Sequence, residues 1–191
     1  MQGDIERVLI DRGEIARRLD ALADEVSRDL TGGGGDSEGE VTLVPILTGS
    51  IIFVADLMRR MPQRMRIHLL SVASYPGQAT TSRGAAVKQE LTNLPASLAG
   101  QNVLLVDDIL DSGGTLTLAR ELLAERGPAS LRTCVLLRKR RPEAMAYPVD
   151  YVAFDIPDEF VVGYGLDYDD LYRNLPEIVA LKRGAIDPEP R

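Results

Sequence analysis

A chain of 191 residues with 45% hydrophobic and 27% charged side chains has the make-up of a water-soluble globular protein, long enough to enclose a sizeable core. Its net charge of −7 argues against broad electrostatic capture of nucleic acid, and no apolar run approaches the ~20 residues of a membrane span. The N-terminal residues are acidic and basic by turns, so the expectation is a cytoplasmic protein forming one domain over residues 1–191.

In chain order, Ile15, Leu19, Leu22, Val26 and Leu30 recur at helical spacing and predict an amphipathic first helix. Residues 31–40, with four consecutive glycines, read as a flexible surface connection. A strand is expected over 41–47, then a glycine turn, Thr48-Gly49-Ser50, opening a helix that reaches about Met61. A third strand is expected over 66–73; its lone His68, with Ile67, Leu69 and Leu70 as neighbours, reads as structural. Residues 74–99, poor in large apolar side chains, form a long flexible excursion of the kind that is uncommon unless functional. Strands over 103–106, 131–137 and 151–154 follow, with a helix to about Arg126 after the first of them. Cys134 lies within an apolar run and reads as a buried thiol. Alternating strands and helices predict an α/β, doubly wound and mainly parallel sheet with right-handed crossovers.

The most informative stretch runs from Val103 to Thr115. Four apolar residues suit a strand covered on both faces, and Asp107 and Asp108 follow at the carboxyl end, where open α/β sheets bind ligands. Carboxylates there suit hydroxyl groups or a hydrated divalent cation. The turn Asp111-Ser112-Gly113-Gly114-Thr115 offers backbone N–H groups and hydroxyls to a phosphate at a helix N-terminus. The Walker and dinucleotide fingerprints do not fit it. The turn at 48–50 offers a second such N-terminus, though alone it is equally an ordinary strand-to-helix connection. Phe160 offers a flat face on which a base could stack, with a core aromatic as the plain alternative. The basic run Arg138-Lys139-Arg140-Arg141 is a solvated loop unless one member is selected for a site.

The 103–115 signature resembles the phosphoribosyl-diphosphate (PRPP) segment of the type I phosphoribosyltransferases. Residues 149–175, including Ile156-Pro157-Asp158-Glu159-Phe160-Val161-Val162-Gly163-Tyr164, are similar to the base-binding hood of hypoxanthine-guanine phosphoribosyltransferases. The resemblance spans roughly 41–181 and implies the fold of that family, with a small C-terminal hood over the base site. It implies transfer of the phosphoribosyl group from PRPP to hypoxanthine or guanine, with Mg²⁺, in a homodimer or homotetramer without nucleic-acid or membrane partners. Asp107 and Asp108 would hold the ribose hydroxyls and, with Asp167, the metal; the family more often has Glu at the first position. Asp111 would accept the proton from N7 of the purine, and Asp111 to Thr115 would hold the 5′-phosphate. Leu47, Thr48, Gly49, Ser50 and Arg173 would meet pyrophosphate, with Thr48 standing where the family usually has Lys or Arg. Lys139 would donate to O6 of the purine, Phe160 would stack on it, the Val161 backbone would fix it, and the main chain of Asp167 would lie near its 2-position. Ser74 and Tyr75 match the family's mobile catalytic loop. Arg138, Arg140 and Arg141 are read as surface, and Asp169 and Asp170 as charges at a helix start. The rival readings are a xanthine- or pyrimidine-preferring transferase of the same fold and an RNA-binding regulator built on it.

Overall fold

The computed structural model describes residues 2–30, 39–74, 85–87 and 92–186. A central sheet carries β2 (Glu40–Leu47), β4 (Leu70–Ser74), β5 (Ala85–Val87), β6 (Asn102–Leu110), β7 (Ser130–Lys139) and β8 (Tyr151–Ile156) in the order β5-β4-β2-β6-β7-β8, with β3 (Arg64–Ile67) also on β2. Every pairing is parallel except that of β4 with β5. The sheet is thus the doubly wound, mainly parallel one that the sequence predicts.

The unbroken apolar run of β6 is explained by burial on both faces. Leu104 and Val106 join the core formed with α1 (Arg12–Leu30) and α2 (Ile51–Met58), whereas Val103 and Leu105 join the opposite core under α3 (Gly114–Ala124). The five apolar residues that predict the first helix are all buried in α1. Cys134 is buried, and burial pushes its thiol up. Strand β6 extends past the expected end at 106 to Leu110, so Asp107 and Asp108 belong to the strand itself.

The strand expected over 66–73 is two strands in one register. Leu43 faces Ile67 and Ile46 faces Leu70, an offset of 24 residues in both cases (67 − 43 and 70 − 46). Between them the ladder breaks because Leu69 donates its N–H to Asn93 Oδ1 at 2.6 Å and accepts from the Asn93 N–H. Within the excursion expected to be loop, β5 forms a short strand; the rest of 75–91, and the 31–38 connection, lie outside the described residues.

A second, antiparallel sheet of order β1-β10-β9 is built from β1 (Ile5–Ile10), β10 (Ile178–Leu181) and β9 (Val161–Val162). This is the hood, and it recruits the N-terminal strand as well as the C-terminal segment. Two short helices, α4 (Pro142–Ala146) and α5 (Arg183–Ile186), complete the described elements. Among the described residues no helix is long and apolar enough to cross a membrane.

Candidate active site

The carboxyl ends of β2 and β6 open into a cleft of about 410 Å³. It is lined by Leu47, Thr48 and Gly49 on one side, by Asp107, Asp108 and Asp111 to Thr115 on the other, and by Asp167 and Arg173 from the hood. Two glycine turns expected from the sequence to accept anions therefore face one space. Leu47 and Thr48 are joined by a cis peptide bond.

Close approach dictates the glycines. A Cβ on Gly49 would run into the Asp108 carboxylate, and one on Gly165 into the Gly49 carbonyl, so the 48–50 turn is wedged between the strand acids and the backbone of the hood. Gly113 has φ +82° and packs against the Tyr147 ring, a contact that the sequence does not announce. The turn it forms starts α3, and Gly113, Gly114, Thr115 and Leu116 line the cleft.

Four carboxylates line the cleft against one cation, Arg173, among the described residues. Burial pushes both Asp107 and Asp108 above the ordinary carboxylate range; Asp107 lies higher because the charge of its neighbour adds to burial, whereas hydrogen bonds and Arg173 partly offset burial at Asp108. Arg173 is held rigidly by the hood: it donates to the Gly165 carbonyl at 2.9 Å and pairs with Asp167 at 2.8 Å and Asp170 at 3.1 Å.

Lys139, largely buried at the end of β7, reaches Asp111 at 3.2 Å and Asp158 at 3.5 Å. Phe160 is 44% exposed and is supported edge-on by Tyr168, with ring centroids 5.6 Å apart and planes at 83°, so it is a surface platform and not a core aromatic. Val161 is buried and starts the edge strand β9, pairing with Ala180.

Several expectations are corrected. Ser50 does not line the cleft: it is fully buried and its hydroxyl donates back to the Ile46 carbonyl at the start of α2, leaving only its main chain for any ligand role. Arg141 is not a bystander, since its guanidinium is bonded to the Asp111 carboxylate. Arg138 is engaged in a two-pronged pair with Asp155, whose nearer contact is 2.7 Å. Asp169 and Asp170 do not begin a helix: with φ of +52° and +60° they form a two-residue hairpin turn closed by reciprocal hydrogen bonds of Tyr168 and Leu171. The backbone of Ser74 ends β4 opposite Ala85, and Tyr75 lies outside the described residues. Neither signal for Arg141 nor one for Asp158 stood out in the sequence; only the tertiary pairing distinguishes them within a basic run and a proline turn.

Asp107, Asp108 and Asp167 supply only oxygen donors, the set that suits a hard divalent cation. Among the described residues no three acids, histidines or cysteines converge into a cage that would hold a metal by protein alone. The oxygen-only donor set fits an ion such as Mg²⁺, which is commonly bound by one or two carboxylates together with substrate phosphates.

Two glycine turns thus flank the strand acids Asp107 and Asp108 in one cleft at the carboxyl ends of a parallel sheet. The sequence profile of the phosphoribosyl transferase domain matches residues 9–169. Similar curated proteins include a hypoxanthine-guanine phosphoribosyltransferase of Mycobacterium avium, 41% identical over 97% of this chain and 88% of that one, and a hypoxanthine phosphoribosyltransferase of Escherichia coli, 40% identical over 90% and 92%. A solved hypoxanthine phosphoribosyltransferase of Trypanosoma cruzi superimposes with a TM-score of 0.85 at 36% identity, covering 95% of this chain and 94% of that one. The chain belongs to the phosphoribosyltransferase family, and within it to the hypoxanthine-guanine branch.

Proposed function

We propose that the protein is a purine-salvage transferase that moves the 5-phosphoribosyl group from PRPP to hypoxanthine or guanine, releasing pyrophosphate and giving IMP or GMP. The observation that carries this reading is the single cleft in which both glycine turns flank Asp107 and Asp108, while Lys139 connects Asp111 to the Phe160 side. A substrate with phosphate at both ends and a ribose between them matches that spacing of groups.

In this reading the bond from C1 of the ribose to pyrophosphate breaks as the bond from C1 to N9 of the purine forms, through an oxocarbenium-like transition state. Free amides of the 112–115 turn hold the 5′-phosphate, and Asp107 and Asp108 accept from the ribose hydroxyls. Arg173 and the 47–50 main chain stabilise negative charge gathering on the leaving pyrophosphate, the kind of preorganised electrostatic help that usually dominates. The N7 proton passes to Asp111, general-base help typically worth about 10²–10⁴-fold. Lys139 donates to O6, Phe160 stacks on the ring, and the main chains of Val161 and Asp167 fix its edge, so that the base is held oriented for attack. Ser74, at the end of β4, and Tyr75 after it would cover the reaction centre and exclude water.

Mg²⁺ bound with PRPP by Asp167 and the strand acids Asp107 and Asp108 would neutralise phosphate charge that Arg173, already paired with Asp167, cannot balance alone. A cytoplasmic homodimer or homotetramer, without nucleic-acid or membrane partners, completes the proposal. Incubation with PRPP, Mg²⁺ and hypoxanthine should give IMP and pyrophosphate in equal amounts by phosphorus NMR. Pyrophosphate release without nucleotide, or no reaction, contradicts it.

A further inference from the structure

Arg141 has no task in the chemistry above, yet it is bonded to the proposed proton acceptor. Its guanidinium donates to one oxygen of Asp111 and Lys139 takes the other, so both carboxylate oxygens are occupied. The same two cations also face Asp158, with Arg141 Nε 3.5 Å from Oδ2 and Lys139 Nζ 3.5 Å from Oδ1. Glu143, 4.0 Å from Arg141 Nε and largely exposed, is the other charged group beside it. The Arg141 backbone is fixed between β7 and α4, where its N–H bonds the Lys139 carbonyl and its carbonyl accepts from Met145. Its side chain remains 37% exposed, free to change partners about that fixed root.

We infer that Arg141 is a positioning residue that caps Asp111 while the base site is empty and yields it to an arriving purine by moving onto Asp158. The inference rests on the reading of Asp111 as the acceptor of the N7 proton. With a cation on each oxygen the carboxylate is a weaker base toward N7, so the departure of one partner favours transfer. Lys139 has its own destination at O6, and Asp158 stands ready for Arg141. The guanidinium thereby exchanges one charge-assisted hydrogen bond for another and never loses its counter-charge. Burial works to raise the Asp111 carboxyl, but the hydrogen bonds and charges of Arg141 and Lys139 outweigh it and hold the group below the ordinary range. The cap therefore keeps Asp111 ionised in the empty site, and its departure restores basicity when the base has come in.

The test is steady-state kinetics of Arg141→Ala and Arg141→Gln, the latter shorter but keeping polar N–H donors without charge. Because the pair is partly exposed, the expected change is modest, a fall in KM for hypoxanthine of about two- to fivefold with KM for PRPP unchanged. The acid limb of kcat/KM for hypoxanthine should move to higher pH, and Arg141→Lys should bring it partly back. Asp158→Asn should raise KM for hypoxanthine in the wild-type background and not in Arg141→Ala. An unchanged or raised hypoxanthine KM in Arg141→Gln, or an unmoved acid limb, overturns the inference. A purely structural Arg141 would lower thermal stability and leave that limb in place. Asp111→Asn run alongside separates the two readings: if it keeps normal kcat, the proton-acceptor role itself fails, whereas an inert Arg141 beside an inactive Asp111→Asn sinks only the cap.

Discussion

Gly49→Ala is the sharpest small perturbation of the cleft. The added methyl would overlap the Asp108 carboxylate, while the Gly49 carbonyl is already packed against Gly165, so the turn cannot back away. Asp108 cannot swing freely either, because its Oδ1 accepts the Ile109 N–H at 2.9 Å and its side chain is bonded to Asp107. Gly49 does not sit at positive φ, so the cost is steric and not conformational. Overpacking of this kind typically costs about 1–3 kcal/mol. In a domain of this size that is a fall of about 2–12 °C in Tm. Asp108→Ala removes the group that is struck, so in that background Gly49→Ala should cost under about 0.5 kcal/mol, a coupling that a double-mutant cycle reads directly. Urea unfolding of the four proteins supplies the numbers, and KM for PRPP should rise in Gly49→Ala as the ribose acids are displaced. Equal costs with and without the Asp108 carboxylate would refute the argument that this contact sets the glycine.

Asp111→Asn, which keeps size but removes basicity, should lower kcat by about 10²-fold or more with KM for PRPP nearly unchanged; near-normal kcat would place the proton acceptor elsewhere. Excess EDTA should abolish turnover, since Arg173 is, among the described residues, the one cleft-lining cation set against Asp107, Asp108, Asp167 and the PRPP phosphates, and full activity in chelator would remove the metal from the account. Lys139→Ala should slow use of hypoxanthine and guanine and narrow their advantage over adenine, whose 6-amino group would set a donor against the ammonium; an unchanged preference would mean another group reads position 6. Asp155 is held below its ordinary value of 3.8, first by its hydrogen bond to Arg138. A depressed carboxyl stabilises the fold above its unfolded pKa and loses that contribution as pH falls through the folded one. Asp155→Asn should therefore cost at most about 1 kcal/mol at neutral pH and nothing in strong acid, and a cost independent of pH in urea titrations would show that the ion pair is not its source.

What the sequence made legible follows from how strongly each signal is tied to burial. The run through Val106 must be covered on both faces, and the helical stripe from Ile15 to Leu30 has one face to bury, so sheet and first helix could be read directly. Strand β1 could not: its burial is slight and it carries Glu6 and Arg7, so no period of two emerges, and its identity as a strand comes from pairing with β10 some 170 residues away (178 − 10 = 168 at one pair). The hairpin turn at Asp169 and Asp170 was hidden because it holds positive φ without glycine. The two glycine turns could be read as facing one space, and 47–49 and 111–115 do line one cleft, yet Ser50 shows that a hydroxyl in such a turn can bond back to the preceding strand instead. Four consecutive basic residues gave no means of separating Arg138, which pairs with Asp155, from Arg141, which caps Asp111. That distinction depends on the curvature of the chain between β7 and α4, a tertiary property with no local signature.

The central claim is transfer to a 6-oxopurine, and a spectrophotometric comparison of hypoxanthine, guanine, xanthine, adenine and uracil as acceptors, each with PRPP and Mg²⁺, tests it most directly. The account predicts nucleotide formation from hypoxanthine or guanine, with adenine poorer by a factor of up to about 10⁴–10⁵ in kcat/KM and no product from uracil. Adenine used as well as hypoxanthine, or turnover confined to xanthine or uracil, would contradict it.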